Sequence, residues 1–220
     1  MKKVIVFAVI IGMAIGSAAY AEKMYEGEDI PKYIYNLKEG NFAIKVDAVL
    51  SLGKIGKPAI PALLETLKDK NDFTRVGSVL ALGEIGSREN IMFPELIQSV
   101  ADKSELVRWA AIEALGVIGL AAKDALPAVT AALKDKTELV RWAAADVLDE
   151  ISTDAKSSVP ALIEALKDSN KNVRENASES LGEIGDRSAL EALDLLAKND
   201  REESVRKSAE TAIERIRSKK

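Results

Sequence analysis

The seven residues ELVRWAA stand at 105–111 and again at 138–144, 33 residues later. Followed outward, the string is the most regular part of a longer repeat. LVRWAAIEALGVIG ends at Gly119 and LVRWAAADVLDEIS ends at Ser152. Looser copies are AIKVDAVLSLGKIG (43–56), FTRVGSVLALGEIG (73–86), NVRENASESLGEIG (172–185) and SVRKSAETAIERIR (204–217). The basic residue falls at Lys45, Arg75, Arg108, Arg141, Arg174 and Arg206, at gaps of 30, 33, 33, 33 and 32. A second segment precedes each copy: IPKYIYNLKE (30–39), IPALLETLKD (60–69), FPELIQSVAD (93–102), LPAVTAALKD (126–135), VPALIEALKD (159–168) and a degenerate ALEALDLLAKND (189–200). A period of this length means one supersecondary unit, copied and stacked.

Both segments read as helices. Val140, Ala144, Leu148 and Ile151 form one stripe at the helical period, and Leu162, Ile163 and Leu166 form another. Pro61, Pro94, Pro127 and Pro160 fall in the first turn of the first helix, where a missing N–H is harmless. The Gly of each IG pair suits a helix C-terminus. Asn71, Ser104, Thr137 and Asn170 are candidate N-caps of the second helix. No alternating strand pattern appears. A single hairpin buries too little apolar surface to offset the ordering of some thirty residues, so neighbours must supply the rest. The predicted fold is all-α, an α-solenoid of about six stacked hairpins. Their bounds are about 29–56, 57–86, 87–119, 120–152, 153–185 and 186–220, forming one repeat domain over 22–220.

The second-helix pattern VRxxAxxALGEIG and the first-helix pattern VPALIEALKD resemble HEAT repeats, and most of all the short HEAT-like repeats of phycobilisome lyase subunits. The resemblance covers nearly all of 22–220. It is specific for fold and weakly specific for function, because such repeats serve many scaffolds. It implies a ladder of charge pairs along the hairpin turns, within and between repeats. Asp69, Asp102, Asp135, Asp168 and Asp200 each lie six residues before Arg75, Arg108, Arg141, Arg174 and Arg206. Glu39 and Lys45 hold those places in the first unit. Each carboxylate is expected to anchor a guanidinium and nearby backbone N–H groups. Recurrence in every unit argues for a structural role, since an active site occurs once.

In HEAT-like stacks the second helix lines the concave surface. The residue after the repeated basic one is Val46, Val76, Trp109, Trp142, Glu175 and Lys207; four further on are Leu50, Leu80, Glu113, Asp146, Glu179 and Thr211. Both places point away from the core stripe by the 100° helical step. Val46, Leu50, Val76, Leu80, Trp109 and Trp142 thus make a candidate apolar strip for protein binding, rimmed by Glu113 and Asp146. The competing reading packs the tryptophans over Ala-rich turns, with Val and Leu under residues 22–30. Tyr25, Tyr33 and Tyr35 suit an end cap or a contact surface, and the charged last unit suits a C-terminal cap.

Residues 1–21 read as a secretory signal: MKK, an uncharged apolar run, then Ala19-Tyr20-Ala21 as a cleavage site. The expectation is export, to the periplasm of a Gram-negative bacterium, with 22–220 as the mature chain. The rival reading is an anchor retained through residues 4–21. Without Lys2 and Lys3 the net charge is −6, which argues against a general nucleic-acid binder. There is no Cys and no His, which removes disulfides, the usual metal ligands and most nucleophile–base pairs. GKIGKP (53–58) follows a helix rather than a strand, so it is no phosphate loop, and GEDIP (27–31) lacks calcium-loop spacing. No metal or cofactor is expected. Some HEAT-like proteins are enzymes: the hydroxylase type needs His–Glu ligands, and the lyase type acts in the cytoplasm. The expected function is a non-catalytic exported scaffold binding an unidentified protein or peptide on its concave face, with membrane contact only if the signal is retained. The alternatives are a lyase-like or chaperone-like accessory protein handling a hydrophobic ligand, and a structural subunit of a larger assembly.

Overall fold

A computed structural model describes residues 29–148, 150 and 155–219 of the chain. The signal-segment expectation, Tyr25 and the end of the fourth repeat at Ile151 and Ser152 lie outside these residues. Among the described residues there are twelve α-helices and no strand. First helices are α1 (Ile30–Glu39), α3 (Ile60–Thr66), α5 (Pro94–Ser99), α7 (Leu126–Ala132), α9 (Val159–Ala165) and α11 (Leu190–Asn199). Second helices are α2 (Phe42–Ile55), α4 (Asp72–Glu89), α6 (Glu105–Ile118), α8 (Glu138–Val147), α10 (Lys171–Ile184) and α12 (Glu203–Ser218). The fold is therefore all-α and of the helical-hairpin solenoid class. No helix among the described residues is long and apolar enough to cross a membrane.

The four middle first helices have only six or seven residues, too few to hold together alone in water. Each has proline in its opening turn. Their last residues close with tighter bonds, such as Lys68 N–H to Glu65 O and Asp69 N–H to Thr66 O. The LKD ends therefore form turns rather than helix. Asn170 caps α10 by accepting from the Asn172 N–H at 2.8 Å, and Asn71 accepts from the Phe73 N–H at 2.9 Å. Ser104 and Thr137 stand at the N-cap positions of α6 and α8 without a side-chain cap bond. The Thr137 hydroxyl is engaged instead by Glu105 and Arg108.

Gly56, Gly119 and Gly185 end their helices with positive φ, where a side chain would be strained. Gly86 does not, which corrects the boundary expected there. Ser87, Arg88 and Glu89 continue α4, and the turn is made at Asn90, with φ 54°. Glycine permits a positive φ without imposing it, and here the turn falls to Asn90, a residue that tolerates that region.

The chain divides into two compact units, one ending at Ile85 and one beginning at Gly86. In the N-terminal unit α1 packs on α2 and α3 around Tyr33, Leu37, Ala48, Leu52 and Leu63. In the C-terminal unit α6, α8, α10 and α12 pack in series, and each rests on the first helix of its own hairpin. The valines before the repeated arginines, Val107, Val140, Val173 and Val205, are all buried there. The helix–helix approach is close at Gly182. A Cβ on that residue would lie 2.9 Å from the Ala212 Cα of α12, which is backbone and cannot swing aside.

Candidate functional site

The repeated arginines of the C-terminal unit make two kinds of contact. Within its own hairpin, each donates from Nη1 to a main-chain carbonyl six residues earlier: Arg108 to Asp102 O, Arg141 to Asp135 O, Arg174 to Asp168 O and Arg206 to Asp200 O, at 2.7–3.0 Å. To the next hairpin, three of them donate from Nε and Nη2 to both oxygens of a carboxylate: Arg108 to Asp135, Arg141 to Asp168 and Arg174 to Asp200, with Nε contacts of 2.8, 2.6 and 2.7 Å. Each aspartate also accepts from the N–H two residues on, at Thr137, Asn170 and Glu202. So Asp135, Asp168 and Asp200 each meet the Arg six residues on through the backbone, while the carboxylate serves the preceding hairpin. In the N-terminal unit Arg75 likewise donates to Asp69 O, and Lys45 donates to the Leu37 and Lys38 carbonyls.

Burial pushes the Asp135 carboxyl upward, but hydrogen bonds from Arg108 and the Thr137 N–H outweigh it and hold the pKa low. Asp168 shows the same balance with Arg141 and the Asn170 N–H. At Asp200 the Arg174 hydrogen bond is itself the largest influence, and it too lies below the ordinary range. A carboxylate depressed by folding stabilises the fold fully above its unfolded pKa of about 4, and the contribution is lost as pH falls through the folded value. Urea midpoints should thus be insensitive to these groups between about pH 5 and 8, and drop on acidification below about pH 4. A midpoint that held steady through that acid range would refute the assignment.

The eight residues of the expected strip fall four in each unit. Val46, Leu50, Val76 and Leu80 are half-buried in the N-terminal unit. In the C-terminal unit Trp109 is 9% exposed, its Nε1 buried without a hydrogen-bond partner among the described residues, whereas Trp142, Glu113 and Asp146 are half-buried. The two indoles, set in identical strings, are not an equivalent pair. Asp146 accepts from Asn176 Nδ2 at 3.0 Å, which ties α8 to α10, and Glu179 is exposed. Sequence reading missed this Asp146–Asn176 contact and the Ser180 hydroxyl bonded to Ala145 O at 2.6 Å. Asn176 and Ser180 are polar where the two preceding hairpins have Ala110 and Ala143, and Ala114 and Val147, which was the available signal.

An open groove of about 510 Å³ lies on the other layer, between α5 and α7. Ile97, Val100, Ala128 and Ala131 line it, with Lys134 and Lys136 at its edge. Among the described residues no group of carboxylates is placed to hold a metal ion.

The family model described as HEAT repeats matches residues 93–158 and 152–214, together more than half of the chain. The model described as the PBS lyase HEAT-like repeat matches residues 44–69. No curated protein matches the chain significantly. Among solved structures, an engineered protein aligns with a TM-score of 0.62 at 19% identity, over 86% of this chain and 97% of its own. A designed armadillo repeat protein in complex with the peptide (KR)4 aligns with a TM-score of 0.62 at 20% identity, over 86% and 99%. The karyopherin Kap121p, bound to the extreme C-terminus of the protein phosphatase Cdc14p, aligns with a TM-score of 0.64 at 16% identity, over 97% of this chain and 25% of that one. At these identities the likeness is one of fold. With the 33-residue period, the paired helices and the family models in agreement, the chain belongs to the HEAT-repeat family.

Proposed function

We propose that this chain is a non-catalytic scaffold that binds an extended protein segment carrying Lys and Arg side chains on the second-helix face of its C-terminal unit. The observation that carries the reading is the charge of that face. On α6, α8 and α10 the acidic residues are Glu105, Glu113, Glu138, Asp146, Glu175 and Glu179, with Glu183 already held by Arg215 of α12 at 2.6 Å. Arg108, Arg141 and Arg174 are already held by carboxylates of the next hairpins, which leaves Lys171 as the other base of these helices. Trp142 stands one helical turn before Asp146, so an aromatic ring and a carboxylate share one face. That combination suits a cation on an apolar stem. A designed repeat protein of the same fold binding the peptide (KR)4 is in keeping with this. The reading includes export, which rests on the sequence of residues 1–21 alone.

The test is fluorescence polarisation with two labelled octapeptides, one of alternating Lys and Arg and one of Glu. The basic peptide should bind, more weakly as salt rises, and the acidic one should not. Trp142→Ala should weaken binding about tenfold. Glu179→Gln, whose side chain is exposed, should weaken it without altering the melting temperature. Equal binding of the two peptides, or no effect of Trp142→Ala, would overturn the reading.

A further inference from the structure

Three rungs of the C-terminal unit show what the repeated guanidinium holds: both oxygens of a carboxylate on the following hairpin. Arg206 is the fourth copy. Its Nη1 donates to Asp200 O at 2.7 Å, so the fork is set as in the others. Among the described residues no carboxylate accepts from its Nε or Nη2. Glu203, one turn back, is occupied by Lys207 at 2.6 Å. The first helix of the same hairpin is open in the same direction. Thr130, five residues before Asp135, meets Ser158 of the following hairpin at 2.7 Å. Leu195, five residues before Asp200, is 58% exposed. The charged last hairpin was expected to act as a cap, yet it leaves a rung and an apolar side chain open.

The first hairpin has the complementary parts. Glu39 stands six residues before Lys45, in the place of the ladder aspartates, and it is exposed with no side-chain partner among the described residues. Ile44, the counterpart of Val107, Val140, Val173 and Val205, is 41% exposed where they are buried. Phe42 beside it is also exposed. One end therefore lacks an acid and the other lacks a base, each with apolar surface next to it.

We propose that a second copy of this chain stacks end to end on the first, with Glu39 of one copy accepting from Nε and Nη2 of Arg206 in the other. The contact joins unlike surfaces, so it leaves one free end at each terminus and continues into longer chains or closes into a ring. The test is sedimentation equilibrium of the full chain over a concentration series. The average mass should rise with concentration past two copies. Glu39→Arg should weaken association about tenfold or more by placing like charges together. Because Glu39 is exposed and has no side-chain partner among the described residues, the variant should keep the melting temperature of the parent, which separates that loss from misfolding. Mixing Glu39→Arg with Arg206→Glu restores opposite charges at each junction and should restore the association. A chain that stays monomeric at every concentration, a mass that stops at two copies, or association indifferent to Glu39→Arg would each overturn the proposal, as would a mixture that fails to recover.

Discussion

Asp200→Ala is expected to lower the unfolding free energy by about 3–5 kcal/mol, measured by urea or guanidinium denaturation. Asp200 accepts from Arg174 Nε and Nη2 at 2.7 and 2.9 Å and from the Glu202 N–H at 2.9 Å. Both side chains of the pair are almost fully buried, at 6% and 7% exposure. Removing the carboxylate leaves a guanidinium in the stack with only the Asp168 and Ser169 carbonyls to face. It also frees the Glu202 N–H at the N-cap of α12. The charge is the source of the damage, so replacing both partners by apolar residues, Arg174→Met with Asp200→Leu, should cost less than the single change. By contrast Glu65→Ala, which removes the exposed partner of Lys68, should change stability by no more than about 1 kcal/mol. A loss below about 1 kcal/mol for Asp200→Ala would mean that the rung is as weak as a surface pair.

Trp109→Ala should cost about 3–5 kcal/mol, and Trp142→Ala distinctly less, nearer 1–2 kcal/mol. The two residues sit in the same seven-letter string, and local sequence alone would assign them one value. Trp109 is 9% exposed, so its removal opens a large cavity. Trp142 keeps part of its ring in solvent and loses less on truncation. Thermal and denaturant unfolding of the two variants side by side is the measurement. Equal losses would show that the burial difference carries no energetic weight. Trp109→Phe should recover much of the stability, since it keeps most of the ring and removes the buried N–H that has no partner.

The repeat made the fold readable. A period near 33 residues, proline in the opening turn of five of the six first helices and a valine before four of the five repeated arginines were all present as letters, and the twelve helices follow from them. What the letters did not carry was direction. The resemblance implied charge pairs within and between repeats, and the six-residue spacing did not say which group makes which contact. The side-chain fork reaches forward to the next hairpin, because the Asp carbonyl already fills its near side. The same limit applied to the tryptophans: a helix face can be assigned from spacing, but how far a neighbour covers it depends on packing between hairpins. Gly86 misled because a glycine permits the positive φ that ends a helix without requiring it.

The rung also explains where this chain tolerates changes of length. Asp and Arg are six residues apart in all five later hairpins, and Glu39 and Lys45 keep the interval in the first. The gaps between successive basic residues do vary, from 30 to 33. One guanidinium must reach a carbonyl behind it and a carboxylate ahead of it, so a residue gained or lost in a hairpin turn would break contacts to two neighbours at once. A residue gained between hairpins meets no such constraint. Each turn thus acts as a fixed ruler and each inter-hairpin connection as slack, which leaves the connections as the places where an array of this kind can accept an insertion or be joined to other sequence without losing its register.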